Sequence, residues 1–142
     1  MGEVSMDKFE SSIKVIPYPQ EKVYALVSDL NNLERVKDKI PEDKVQSLTY
    51  DSDNVTVTVA PVGKVTLSIV EREPCKTVKF GSPDSPIAFN LWIQIVPIDA
   101  QTSKMRVTVK INLNILTRNL MKGKIEEAVE KLAEMLSQVN YD

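Results

Sequence analysis

Apolar and polar positions separate most clearly at the end of the chain. Over residues 117–140, Met121, Ile125, Ala128, Val129, Leu132, Met135, Leu136 and Val139 recur at steps of three and four. That spacing is one apolar stripe of an α-helix. Lys122, Lys124, Glu126, Glu127, Glu130, Lys131 and Glu134 mostly fill the other side. Glu127 and Lys131 stand four apart in the favourable order. Such a helix runs roughly 33 Å, so its stripe needs a long partner surface. The strand patterns before it supply one, which predicts a curved sheet wrapped around this helix.

Residues 8–16 alternate, with Phe9, Ser11, Ile13 and Val15 on one side, as in a single half-buried strand. Pro17 and Pro19 end it, since neither can donate to a ladder. Val23, Leu26, Val27 and Leu30 then mark a helix, with Pro19 and Glu21 suited to its first turn. Asn31-Asn32 signals a turn, and Leu33, Val36 and Ile40 predict a short second helix stopped by Pro41.

From Lys44 to residue 115 the pattern is of strands. Residues 45–50 come first, then a hairpin turn over Asp51-Ser52-Asp53-Asn54. Val55, Val57 and Val59 alternate with threonines, and Ala60-Pro61-Val62-Gly63 reads as a type I turn. Residues 64–73 place Val65, Leu67 and Ile69 inward. Residues 77–80 are short, and a loop with two prolines follows over 81–86. Ile87, Phe89, Leu91, Ile93 and Ile95 share one face of the next strand. Met105, Val107, Val109, Ile111, Leu113 and Ile115 share one face of the last. The expected class is α+β in the order β-α-α-β-β-β-β-β-β-α, one domain over 1–142 with an ordered core from about 8 to 139.

Composition narrows the chemistry. The chain has 142 residues, 42% hydrophobic and 27% charged, with a net charge of −2. Those values suit one globular domain and give no bulk-charge basis for nucleic-acid binding. No apolar run approaches the ~18 residues of a membrane span. The opening Met-Gly-Glu-Val-Ser-Met-Asp lacks the parts of a secretory signal, and Met6 breaks the myristoylation pattern. Cys75 is the single cysteine, which excludes an internal disulfide and fits a reducing compartment, so the cytoplasm is the expected location. Histidine is absent. That removes the commonest general base and metal ligand, excludes hydrolases with a histidine base, and leads us to expect neither metal nor cofactor.

One strand, two short helices, six antiparallel strands and a long final helix follow a recognisable order. The front of the chain, Ser12-Ile13-Lys14-Val15-Ile16-Pro17-Tyr18-Pro19-Gln20-Glu21-Lys22-Val23-Tyr24-Ala25-Leu26-Val27-Ser28-Asp29-Leu30, agrees with it. This arrangement resembles the START-like (SRPBCC) superfamily, which includes the birch-pollen-allergen type, the polyketide cyclases and the coenzyme-Q-binding proteins. There the first strand is followed by a proline, a Glu, a Val, an aromatic residue, a Leu and an Asp. The resemblance spans about residues 8–139 and implies a helix-grip fold. In such a fold the sheet curls round the last helix, often leaving an apolar cavity between them. It carries over no catalytic residue, because no shared catalytic motif is legible.

The cavity-lining candidates are Leu67, Ile69, Phe80, Phe89, Leu91, Ile93, Val107, Val109 and Ile111 on the strands. Met121, Ile125, Val129 and Leu132 join them on the helix. The same residue types would build a solid core, so both readings stay open. Arg118, Lys122 and Lys124 cluster at the start of the helix, where cations oppose its dipole. They could meet an anionic head group or form a solvated basic end. Trp92 falls on the outer sheet face, either as a cross-strand packing partner or as a subunit contact with Val70 and Val96. The expected state is a monomer or weak homodimer. Cys75 has no base to activate it.

Three functions follow. The first is non-catalytic binding of an apolar or amphipathic small molecule, lipid-like, isoprenoid or polyketide-like. The second is a cyclase or aromatase type of enzyme using a cavity carboxylate, Tyr or Arg. The third is a co-chaperone-like interaction domain with a filled core.

Overall fold

The computed structural model describes residues 7–36, 45–59, 63–82, 89–112, 115–139 and 141. Among them, eight strands form one antiparallel sheet: β1 (Asp7–Glu10), β2 (Lys14–Ile16), β3 (Val45–Tyr50), β4 (Asn54–Val59), β5 (Gly63–Glu73), β6 (Thr77–Gly81), β7 (Phe89–Pro97) and β8 (Ser103–Ile111). Their order is β1-β8-β7-β6-β5-β4-β3, and β2 also pairs with β8. The helices are α1 (Gln20–Val27), α2 (Leu33–Val36) and α3 (Ile115–Ser137), with a 3-10 turn over Leu30–Asn32.

Helix α1 opens after Pro19, whose carbonyl accepts from the N–H groups of Lys22 and Val23. The Asp29 carboxylate accepts from the N–H of Asn31 and opens the 3-10 turn. Val23, Leu26, Val27 and Leu30 are all buried, as the helical period predicts. The β3–β4 turn is held by Asp51, whose Oδ1 accepts from the N–H groups of Asp53 and Asn54. Of the turns read from the sequence, Ala60-Pro61-Val62 and the prolines of 83–86 lie outside the described residues. Ile40, Pro41, Ile87 and Leu113 lie outside them too.

The centre of the sheet keeps its alternation. Phe89, Leu91, Ile93 and Ile95 stand opposite Ile111, Val109, Val107 and Met105, all on the concave side. Val78 and Phe80 continue that face on β6. Helix α1 packs on β7 and β6, and α3 packs chiefly on β8, β1 and β2. Val129, Ala133 and Leu136 bury the inner side of α3, and Val139, just past its end, is buried as well.

Three expectations change. The first strand is two strands. From Glu10 to Lys14 the chain takes four steps while β8 takes three, from Thr108 to Met105. The extra residue is a bulge that reverses the alternation. Phe9 and Ser11 are buried as expected, but Ile13 and Val15 are exposed and Ile16 is buried instead. Ser11 holds the bulge: its N–H donates to the Val107 carbonyl, and its hydroxyl accepts from the Val107 N–H and donates to the Ser12 carbonyl. The last strand ends at Ile111, and Ile115 opens the helix rather than lining a strand. On α3, Ala128 is exposed and Ala133, absent from the predicted stripe, is fully buried. Past the helix, Tyr141 is buried too, with its hydroxyl donating to the Leu136 carbonyl.

Candidate functional site

Burial along the concave face divides it in two. Over β6, β7 and β8, the inward residues Val78, Phe80, Leu91, Ile93, Ile95, Val107, Val109 and Ile111 are buried under the helices. Over β3, β4 and β5, the inward residues Leu48, Tyr50, Val57, Leu67 and Ile69 are only half-buried, and Val55 alone among those described is buried. The register puts them on the same side, since Leu48 faces Val57, Tyr50 faces Val55, Val55 faces Leu67 and Ile69 faces Phe80. Helix α3 shows the same gradient. Val129, Ala133 and Leu136 are buried, Ile125 and Met121 are half-buried, and Leu120 is exposed.

The candidates read from the sequence therefore separate. Phe80, Leu91, Ile93, Val107, Val109, Ile111 and Val129 are packed core. Leu67, Ile69, Phe89, Met121, Ile125 and Leu132 are half-buried. Leu48, Tyr50 and Val57 share the half-buried face with Leu67 and Ile69 and were not among the candidates. Alternation in residues 45–50 and 55–59 was the signal that could have found them. Lys122 and Lys124 are exposed on α3, and the side chain of Arg118 lies outside the described residues.

Polar groups on the concave side are mostly tied to the frame. Arg72 follows a bulge in β5 that turns it inward opposite Val78. Its Nε donates to the Ser28 carbonyl at 3.0 Å and its Nη2 meets Asp53 Oδ1 at 2.5 Å, which closes the α1 end of the sheet. Tyr50 hydrogen-bonds through its hydroxyl to the Glu34 carboxylate. Lys14 reaches Glu130 of α3 at 2.7 Å, and Ser12 donates its N–H and its hydroxyl to the same carboxylate at 2.8 and 2.7 Å. The lysine first, then Ser12, hold the Glu130 carboxyl down at about 2. Burial pushes the Tyr141 phenol above its ordinary value.

Among the described residues no group of three or more Cys, Asp or Glu is placed to hold a metal ion. None of the described helices is long and apolar enough to cross a membrane. On the convex side, Trp92 is half-buried between two cations. Lys79 Nζ lies 5.4 Å and Lys110 Nζ 5.7 Å from its ring centroid. Arg106 and Lys110 stand opposite Gln94 and Asn90 on that convex side, away from the grip.

The fold is shared with proteins of distant sequence. Norcoclaurine synthase from Thalictrum flavum, solved in complex with dopamine and hydroxybenzaldehyde, superposes with a TM-score of 0.74 at 9% identity, over 94% of this chain and 86% of that one. A protein from Thermus thermophilus gives 0.68 at 22% identity, over 93% and 95%. A START superfamily protein from Mycobacterium smegmatis gives 0.59 at 10% identity, over 93% and 99%. These likenesses establish a helix-grip fold. No curated protein sequence matches the chain. The family model described as polyketide cyclase / dehydrase and lipid transport matches residues 6–137, nearly the whole chain, and the chain belongs to that family.

Proposed function

We propose that the chain holds an apolar or amphipathic small molecule, lipid-like, isoprenoid or polyketide-like, between the concave sheet and α3. Leu67, Ile69, Phe89, Met121, Ile125 and Leu132 would line it together with Leu48, Tyr50 and Val57. Phe80, Leu91, Ile93, Val107, Val109, Ile111 and Val129 would form the packed floor beneath. The observation that carries this reading is the burial gradient. A filled core would bury Leu67 and Ile69 as fully as it buries Leu91 and Val109. Apolar surface left half-open costs about 25 cal/mol per Å² that a bound tail would recover. The family description, with lipid transport in it, supports the same reading. The co-chaperone-like alternative needs a filled interior and fits the gradient less well.

Native mass spectrometry on protein purified without detergent tests it. A copurified lipid mass is expected, and Leu67→Lys, which puts a charge on the open wall, should remove it. Equal occupancy in wild type and variant would refute the placement.

A cyclase-type reaction is a second reading, and one observation favours it. Tyr50, on the half-buried wall, hydrogen-bonds through its hydroxyl to the exposed Glu34 carboxylate, so a phenol and an acid stand together at the rim of that wall. Tyr50→Phe should then abolish turnover of an added polyketide-like substrate while leaving its binding intact. We also propose a monomer, with the Trp92 ring covered by the stems of Lys79 and Lys110.

A further inference from the structure

The convex face of the sheet carries a separate open trough of about 530 Å³. It runs over the outward sides of β6, β7 and β8, away from the face that grips α3. That volume falls in the range of small-molecule sites, roughly 300–1,000 Å³. Two features of the chain build it. The bulge at Ser11 throws Ile13 outward, where it is 50% exposed and forms one wall. The β5–β6 turn supplies Glu73 and Lys76 on the other side. That turn holds Cys75 at a φ of 64°, a left-handed conformation that favours glycine.

The chemistry of the trough is amphipathic. Ile13, Val96 and Pro97 give it apolar surface, and Val96 is 48% exposed. Lys76, Lys104 and Arg106 give it positive charge, against Glu73 alone, on a chain whose net charge is −2. Two of the three cations have a carboxylate within reach. Lys76 lies 3.8 Å from Glu73, and Arg106 Nη1 lies 3.0 Å from Glu10. Lys104 forms no ion pair among the described residues. It stands in register between Val15 of β2 and Val96 of β7, so its ammonium rises from an aliphatic row.

We propose that this trough is a second ligand site, independent of the grip, and that it takes a small amphipathic carboxylate. The carboxylate would pair with Lys104, and the aliphatic tail would lie on Ile13, Val96 and Pro97. One cation without such a carboxylate among the described residues matches one anionic group, and the flanking aliphatic surface demands a tail rather than a bare ion.

Decanoate is the probe. In protein with labelled Ile and Val methyl groups, the Ile13 and Val96 resonances should shift saturably as decanoate is added. Lys104→Met keeps the stem and removes the charge. It should weaken binding about tenfold or more, the loss of one charge-assisted contact. Acetate, which has only the head, and decanol, which has only the tail, should each bind weaker than decanoate by about the same factor or more. Leu67→Lys, on the concave face, should leave the Ile13 and Val96 shifts unchanged. Shifts confined to Ile69 and Ile125 would place decanoate in the grip and overturn the proposal. Unchanged affinity in Lys104→Met, or no shift at Ile13 and Val96 up to millimolar decanoate, would overturn it as well.

Discussion

The carboxylate of Glu130 lies 2.7 Å from the ammonium of Lys14, and this contact ties the long helix α3 to the short edge strand β2. The partners are far apart in sequence and meet because the bulge after Glu10 brings Lys14 round to the concave side. Ser12, inside the bulge, donates twice to the same carboxylate. The helix is thus latched at the point where the first strand breaks.

That latch makes stability depend on acid. Glu130 has its carboxyl lowered from the ordinary 4.5 to about 2 in the folded chain. A group depressed on folding contributes stability above its unfolded value and loses it as pH falls through the folded one. The contribution is therefore complete above about 4.5 and gone below about 2. Urea melts of wild type and Glu130→Gln should show the wild type more stable at pH 7, with the gap closing across that window. A gap unchanged between pH 5 and pH 2 would mean that the carboxylate does not form the latch in solution.

Ser11 is the second half of that join. Its buried hydroxyl is the acceptor for the Val107 N–H at 3.0 Å. Ser11→Ala would strand a buried donor in the middle of β8 and should cost about 1–3 kcal/mol in denaturant melts. A loss near zero would show that water or a shifted backbone takes the place of the hydroxyl.

Helix α3 should respond unequally along its length. Leu136 is buried, so Leu136→Ala should cost about 2–5 kcal/mol. Leu132 is half-buried, so Leu132→Ala should cost less than half as much while weakening retention of a bound apolar molecule. Equal losses at both sites in urea melts would place Leu132 in the packed core and contradict an open wall.

Cys75 offers a stabilising change. Pro74 and Cys75 occupy the middle of a turn closed by the Lys76 N–H on the Glu73 carbonyl at 3.0 Å, and Cys75 has φ 64°. A left-handed residue with a side chain costs about 1–2 kcal/mol, and glycine gives back part of that relief as chain entropy. Cys75→Gly should raise the unfolding free energy by about 0.5–1 kcal/mol. A lower denaturation midpoint would mean that the thiol makes packing contacts worth more than the strain.

Much of the fold was legible in the chain itself. Leu91, Ile93, Val107 and Val109 could be placed on one face from sequence because a two-residue period survives wherever pairing is regular. Val23, Leu26, Val27 and Leu30 could be placed by the same logic at the helical period, and the resemblance to a helix-grip family rested on the order of those elements. What tertiary structure decided lies where local pattern is silent. Phe9, Ser11, Ile13 and Val15 alternate without a break in the sequence, and only the ladder to β8 inserts the bulge that turns Ile13 and Val15 outward. Ile115 suits a strand as well as a helix, and Ala133 is core only because α3 lies close to the sheet there. Core and cavity wall draw on the same aliphatic residues. Leu67 and Leu91 differ in exposure because α1 and α3 pack over β6, β7, β8 and the first two strands and leave β4 and β5 less covered, a placement fixed by long-range packing and not by local pattern.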